Sequence, residues 1–152
     1  MAAYFLDSSA LVNCYIVETG TSWTRAISAD QDNIIHVSSL ARVEITSALT
    51  RRLRKGHLTQ AEFDLVQEES QFDLANEYEV VGFTDHLISE AVRLALKHGL
   101  RAYDAVQLAT AMFMGKIVSQ VASEELILVS ADDELNAAAV AEDLQIENPN
   151  AH

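Results

Sequence analysis

The sequence predicts an α/β domain with a central parallel sheet of four to five strands covered by helices on both faces. Three observations predict it. Short runs at Tyr4-Phe5-Leu6, Ile34-Ile35-His36-Val37 and Leu126-Ile127-Leu128-Val129 are too apolar for strands with one wet face, so each must be buried on both sides. Segments with helical spacing and helix caps lie between them, so strands and helices alternate. The 152 residues, 49% of them hydrophobic, can close one substantial core, and Pro149 is the only proline, with no Ser/Gly linker or repeat. A single domain spanning residues 1–152 is expected.

Taken in order, Tyr4-Phe5-Leu6 is the first strand, and Asp7-Ser8-Ser9 supplies capping residues for a helix through Ala10, Leu11 and Val12. A second helix runs from Thr21-Ser22 to about Ala29, followed by the Ile34-to-Val37 strand. Ser38-Ser39 is the expected cap of a longer helix, from Leu40 to about Lys55, closed by Gly56. Thr59 and Glu62 form a capping box for the next one. A strand is expected from Glu79 to Phe83. Thr84 or Asp85 then starts a helix that Gly99 ends, with Leu87, Ile88, Ala91, Val92, Ala95 and Leu96 spaced as one buried face. A further helix covers about Tyr103 to Met114, while the segment from Met114 to Glu125 has no assigned element. Leu126 to Val129 is a strand, Asp133 to about Asp143 a helix with an Ala-rich face, and Gln145-Ile146-Glu147 a last strand before Pro149.

Cys14 is the only cysteine, which excludes an internal disulfide and a thiol-rich metal site and suits a reducing compartment. The amino terminus has no basic n-region and meets Asp7 before an apolar stretch can develop, so no secretory signal is expected. The longest apolar stretch, Ala105 to Val118, is interrupted by Gln107, Thr110 and Lys116 and falls short of the about 20 residues that span a bilayer. A cytoplasmic protein without a membrane partner is expected. The formal charge of −13 opposes binding of a polyanion, but five of the ten Lys and Arg residues (Arg42, Arg51, Arg52, Arg54 and Lys55) fall in one short segment.

Four carboxylates stand where apolar residues belong. Asp7 and Asp132 each follow a buried strand, at the edge where open parallel sheets bind ligands. Glu44 lies between Leu40 and Ala48 on or beside an apolar helix face, and Asp104 opens a helix whose neighbours are nearly all apolar. Singly, each has an ordinary explanation as a helix cap, a first-turn charge or an ion-pair partner. Together, four acids in one crevice need a cation or bound protons to reduce their repulsion, and oxygen donors without His or Cys favour Mg²⁺ or Mn²⁺ over Zn²⁺. His36, His57, His86, His98 and His152 show no ligand spacing and are expected at the surface or in loops.

The runs Phe5-Leu6-Asp7-Ser8-Ser9-Ala10-Leu11-Val12, Ala41-Arg42-Val43-Glu44-Ile45-Thr46-Ser47-Ala48-Leu49, Leu100-Arg101-Ala102-Tyr103-Asp104-Ala105-Val106-Gln107-Leu108-Ala109-Thr110-Ala111 and Leu128-Val129-Ser130-Ala131-Asp132 resemble PIN domains, in particular VapC-like toxins of toxin–antitoxin pairs. The resemblance spans essentially the whole chain and is most specific in Arg-x-x-Asp-Ala-x-x-Leu-Ala-Thr-Ala. It implies a PIN-like fold, a Mg²⁺- or Mn²⁺-dependent endoribonuclease, frequent homodimers, and a cognate antitoxin that blocks the site. By position, the family's metal-binding and catalytic acids fall on Asp7, Glu44, Asp104 and Asp132. Ser8 or Ser9 and Ser130 are candidates for supporting contacts, and Asp133 could replace or assist Asp132.

Arg42, Arg51, Arg52 and Arg101 are candidate RNA contacts, with Arg93 and Lys97 near Asp104 as further members of a local phosphate track; the ordinary alternative is a solvated helix face. The acidic remainder points to a basic antitoxin as protein partner. A haloacid-dehalogenase-like phosphatase needs a second Asp where Ser9 stands, and a receiver-like domain needs a late basic residue, whereas no Lys or Arg follows Lys116. The remaining alternative is a non-catalytic PIN-like metal- or RNA-binding module.

Overall fold

Strands and helices alternate through the computed structural model, which describes residues 2–152. In chain order they are β1 (Ala3–Leu6), α1 (Ser8–Tyr15), α2 (Thr21–Ala29), β2 (Ile34–Ser38), α3 (Ala41–Arg54), α4 (Gln60–Asn76), β3 (Glu79–Val81), α5 (Asp85–His98), α6 (Ala102–Val121), β4 (Leu126–Val129), α7 (Asp133–Ala141) and β5 (Gln145–Glu147), followed by a 3-10 turn at Pro149–Ala151. All neighbouring strands pair in parallel, in the order β3-β2-β1-β4-β5. The chain therefore winds outward from β1 to β3, then returns to place β4 and β5 on β1's other side. The crevice at this reversal lies between the carboxyl ends of β1 and β4, where doubly wound sheets bind ligands.

Alternate strand residues feed two cores, one on each face. Phe5 and Leu128 pack with Leu94, Leu108 and Leu135 from α5, α6 and α7. Leu6, Val37 and Val129 pack on the other face with Leu11, Ile45 and Leu49 from α1 and α3. Burial on both faces accounts for strands that lack a polar alternation. Asp7 and Thr84 cap α1 and α5 through their side chains, and the Thr59–Glu62 capping box is present on α4.

Four expectations are corrected by tertiary context. Ser38 and Ser39 do not cap α3: pairing with β3 carries β2 through Ser38, and the Ser39 N–H donates to the Val81 carbonyl. Leu40 takes the cap position without a side-chain hydrogen bond. Helix α6 continues to Val121 and absorbs most of the unassigned segment, since no proline or stop signal interrupts it and Val118 is buried. On α5 the buried stripe is Leu87, Ala91 and Leu94, while Ile88, Val92 and Leu96 are exposed, one helical stripe away from the sheet. His36 is buried within β2, where desolvation lowers its pKa, rather than lying at the surface.

The end of the chain returns over the sheet edge. Pro149 is buried against Gly20, whose φ of +84° suits glycine and where an added Cβ would lie 2.4 Å from the Pro149 carbonyl oxygen. The His152 ring stacks on Trp23 with centroids 4.2 Å apart, and its Nε2 lies 2.9 Å from Glu147. A second fastening joins α5 to the end of α7: the Glu142 carboxylate receives Lys97 at 2.8 Å, His98 at 2.7 Å and Arg93 at 3.1 Å.

These partners, Lys97 first and then His98, hold the Glu142 carboxyl down to about 2. A depressed carboxylate stabilises the fold above its unfolded value, and that contribution is lost as pH falls from about 4.5 towards about 2. Glu142→Gln is expected to lower the melting temperature by about 2–4 °C at pH 7, the effect of about 1 kcal/mol in a domain of this size. The difference should shrink on acidification below pH 4; a gap that stays constant down to pH 2 would exclude the ion cluster as its source.

Candidate active site at the sheet edge

The site starts from Asp7. Phe5 and Leu6 are fully buried, so the next residue is carried into the crevice, and Asp7 is itself only 3% exposed. Its Oδ1 accepts hydrogen bonds from Ser9 Oγ at 2.6 Å and the Ala10 N–H at 2.8 Å, and its Oδ2 accepts from Ser130 Oγ at 2.7 Å. The two hydroxyls also accept from the β4 side: Ser130 Oγ from the Asp132 N–H and Ser9 Oγ from the Ala131 N–H, both at 3.0 Å. Asn136 donates to the Ser130 carbonyl at 2.8 Å. Desolvation pushes the Asp7 carboxyl up to about 6 in spite of its three hydrogen bonds, and Glu44 pushes it the same way.

The other acids surround this point. Asp132 caps α7 by accepting from the Leu135 N–H at 2.9 Å. Asp104, in the first turn of α6, is partly buried; desolvation and then Asp132 raise its pKa, Arg101 lowers it, and Glu44 and Glu134 raise it again. Glu44, in the first turn of α3, accepts from Gln107 Nε2 at 3.2 Å. Charge therefore links Asp7 to Glu44, and Asp104 to both Glu44 and Asp132. Among the described residues, no three His, Cys, Asp or Glu side chains form a group at metal-ligating spacing. The donor chemistry nevertheless suits a hard cation: the acids present only oxygen, one is a desolvated anion, and the buried amide oxygens of Gln107 and Asn136 have no partner among the described residues.

Residues 4–141 match the PIN domain family. The chain belongs to that family. It is 31% identical to ribonuclease VapC3 of Pyrobaculum aerophilum over 111 residues, covering 72% of this chain and 82% of that protein. It is 34% identical to ribonuclease VapC45 of Mycobacterium tuberculosis over 116 residues, covering 76% of this chain and 78% of the relative. Among solved structures, a toxin–antitoxin complex from Klebsiella pneumoniae has the same fold, with a TM-score of 0.62 at 17% identity, covering 98% of each chain.

Within this PIN domain a groove of about 520 Å³ opens along α3 at Glu44, lined also by Ser8, Ser9, Arg51, Tyr103 and Asn150, among others. Arg51 faces it without an ion pair among the described residues, whereas Arg52 is held by Glu18. Arg42 is exposed on α3 and lines a different hollow with Ser39 and Thr46. Arg101 precedes α6 beside Asp104. Arg93 is engaged by Glu90 and Glu142, and Lys97 by Glu142. Asp133 is exposed at the start of α7; Glu134 is the neighbour whose charge reaches Asp104.

Sequence reasoning passed over Gln107 and Asn136. Each is a buried amide that holds a site residue, and the available signal was a lone polar residue in an apolar helical run. No helix among the described residues is long and apolar enough to cross a membrane.

The raised carboxyl of Asp7 makes a definite demand on stability. Between pH 3.8 and about 6 the folded state binds more protons than the unfolded one, so stability falls as pH rises through that window. The shift of roughly 2 units corresponds to about 3 kcal/mol. Asp7→Asn, measured by thermal unfolding in chelator, is expected to melt above the wild type at pH 8, with the advantage fading towards pH 4. A variant that melts lower at pH 8 would mean that the three hydrogen bonds outweigh the desolvation of the anion.

Proposed function

We propose that this PIN domain is a Mg²⁺- or Mn²⁺-dependent endoribonuclease, the toxin of a toxin–antitoxin pair, with Asp7, Glu44, Asp104 and Asp132 as its metal-binding and catalytic acids. The observation that carries the proposal is the buried Asp7 carboxylate, held by Ser9 and Ser130 at the β1–β4 crevice and within electrostatic reach of further acids. The ribonuclease names of two relatives more than 30% identical support RNA as the substrate.

When bound, a divalent cation would activate water and offset charge on the phosphodiester. Asp7 and Asp104 are the firmest candidates to hold it, Asp7 because its orientation is set by hydrogen bonds at both oxygens. Glu44, steadied by Gln107, and Asp132, steadied as a helix cap, would complete the oxygen set or accept the nucleophile's proton. Ser9 and Ser130 are positioning residues, since they act through Asp7. Arg51 and Arg101 supply local positive charge for the RNA backbone despite the total of −13.

That total also supports a basic antitoxin, whose Lys or Arg residues would pair with the four acids and compete with the cation. The fold shared with a toxin–antitoxin complex is consistent with such a partner. The protein would act in the cytoplasm, where its RNA substrate is found. A homodimer is supported by the exposed stripe Ile88, Val92 and Leu96, which has the spacing of a buried helix face without a partner in its own chain.

RNA cleavage is expected with Mg²⁺ or Mn²⁺ and to stop with chelator; Asp7→Asn should abolish it, and Ser130→Ala should lower it roughly 10- to 100-fold. Equal turnover by wild type and Asp7→Asn would refute the reading. For the assembly, Leu96→Glu should convert a dimer to a monomer in size-exclusion chromatography with light scattering, and a wild type that is already monomeric would reject this interface.

A further inference from the structure

The segment that follows β5 is fastened across the sheet edge beside the acids, outside the residues 4–141 that match the family. The Ser130 N–H donates to the Glu147 carbonyl at 3.1 Å, so the chain leaves the sheet next to the residue that holds Asp7. Asn148 Oδ1 then accepts from the Asn150 N–H at 3.0 Å, Pro149 is buried against Gly20, and His152 stacks on Trp23. These contacts fix the backbone on both sides of Asn150 and leave that residue exposed on the groove wall. Among the described residues, no hydrogen bond engages its side-chain amide.

Tyr103 lines the same groove. It is 60% exposed and immediately precedes Asp104, so an aromatic face stands beside an acid of the site with no core to pack. Arg51 contributes a guanidinium with no ion pair among the described residues, and the lining also holds the Glu18 and Glu44 carboxylates and the buried Asn13 amide, which donates to the Thr19 carbonyl at 3.3 Å. An exposed aromatic face, an amide that both donates and accepts, and a guanidinium are the elements that bind an unpaired nucleotide, through stacking, base-edge hydrogen bonds and the phosphate. The groove volume of about 520 Å³ lies within the roughly 300–1,000 Å³ of pockets that enclose small ligands.

We infer that Tyr103 and Asn150 form a nucleobase subsite in the groove beside Glu44, which makes the segment after β5 a determinant of base preference. This deepens the nuclease reading and rests on it. Duplex RNA does not fit the subsite, because its bases are stacked and paired and cannot present both a free face and a free edge.

The test uses full-length protein and an RNA oligonucleotide with randomised central positions, alone and annealed to its complement, with Mg²⁺ or Mn²⁺. Cleavage products are sequenced, and binding of the single strand is measured in the Asp7→Asn background. Both substituted positions are exposed, so Tyr103→Leu and Asn150→Ala are expected to fold. Wild type should cut the single strand, spare the duplex and favour one base at a fixed position from the cut. Tyr103→Leu should weaken single-strand binding by roughly 5- to 150-fold, and Asn150→Ala should flatten the base preference. Trp23→Ala, which removes the stack on His152 without touching the groove, should flatten it in part. Wild-type cleavage with base preference and affinity unchanged in Tyr103→Leu and Asn150→Ala would overturn the subsite and leave the nuclease standing, as would equal cleavage of duplex. Wild type that neither cuts nor binds RNA would overturn both.

Discussion

The buried carboxylate of Asp7 is the constraint on which the sheet edge depends. It sits at the carboxyl end of the central strand and is bonded at both oxygens, to the start of α1 through Ser9 and Ala10 and to the loop after β4 through Ser130. The same two hydroxyls accept from the backbone of Ala131 and Asp132, so the turn that presents Asp132 is set by the groups that set Asp7. Desolvation makes this anion costly, which is why its carboxyl is pushed up to about 6. Carboxyls perturbed in this way cluster at functional sites.

Charge is distributed around this point in a way that composition does not reveal. Several basic side chains are neutralised within the fold: Arg52 by Glu18, and Arg93 and Lys97 by Glu142. Arg51 remains on the groove wall, near Glu44. The last residues are fastened across the same edge, Pro149 on Gly20 and His152 on Trp23.

Much of the architecture was legible because its signals are local. Apolar runs of strand length, the Thr59–Glu62 box and Gly99 in the left-handed region mark elements through their own backbone chemistry. The misreadings arose where distant pairing decided the outcome. Ser38 and Ser39 look like a cap, yet β3 claims them. Ile88, Val92 and Leu96 look buried, yet the helix turns Leu87, Ala91 and Leu94 to the core instead. At the site, Asp7 and Asp132 were legible from their position after buried strands, whereas Gln107 and Asn136 were not, because an amide in a helix shows its partner only when another helix or strand is packed against it.

By itself the sequence determined the alternation of strands and helices, the parallel sheet and the presence of four acids out of place, because hydrophobic period and capping act over a few residues. Only the tertiary structure decided which strands neighbour β1, that Ser130 closes on Asp7, which arginines are spent in ion pairs, and that the chain's last residues wall the groove. Each of these joins residues far apart in the chain, and their meeting depends on strand order and on which helix face is buried, which no local pattern encodes.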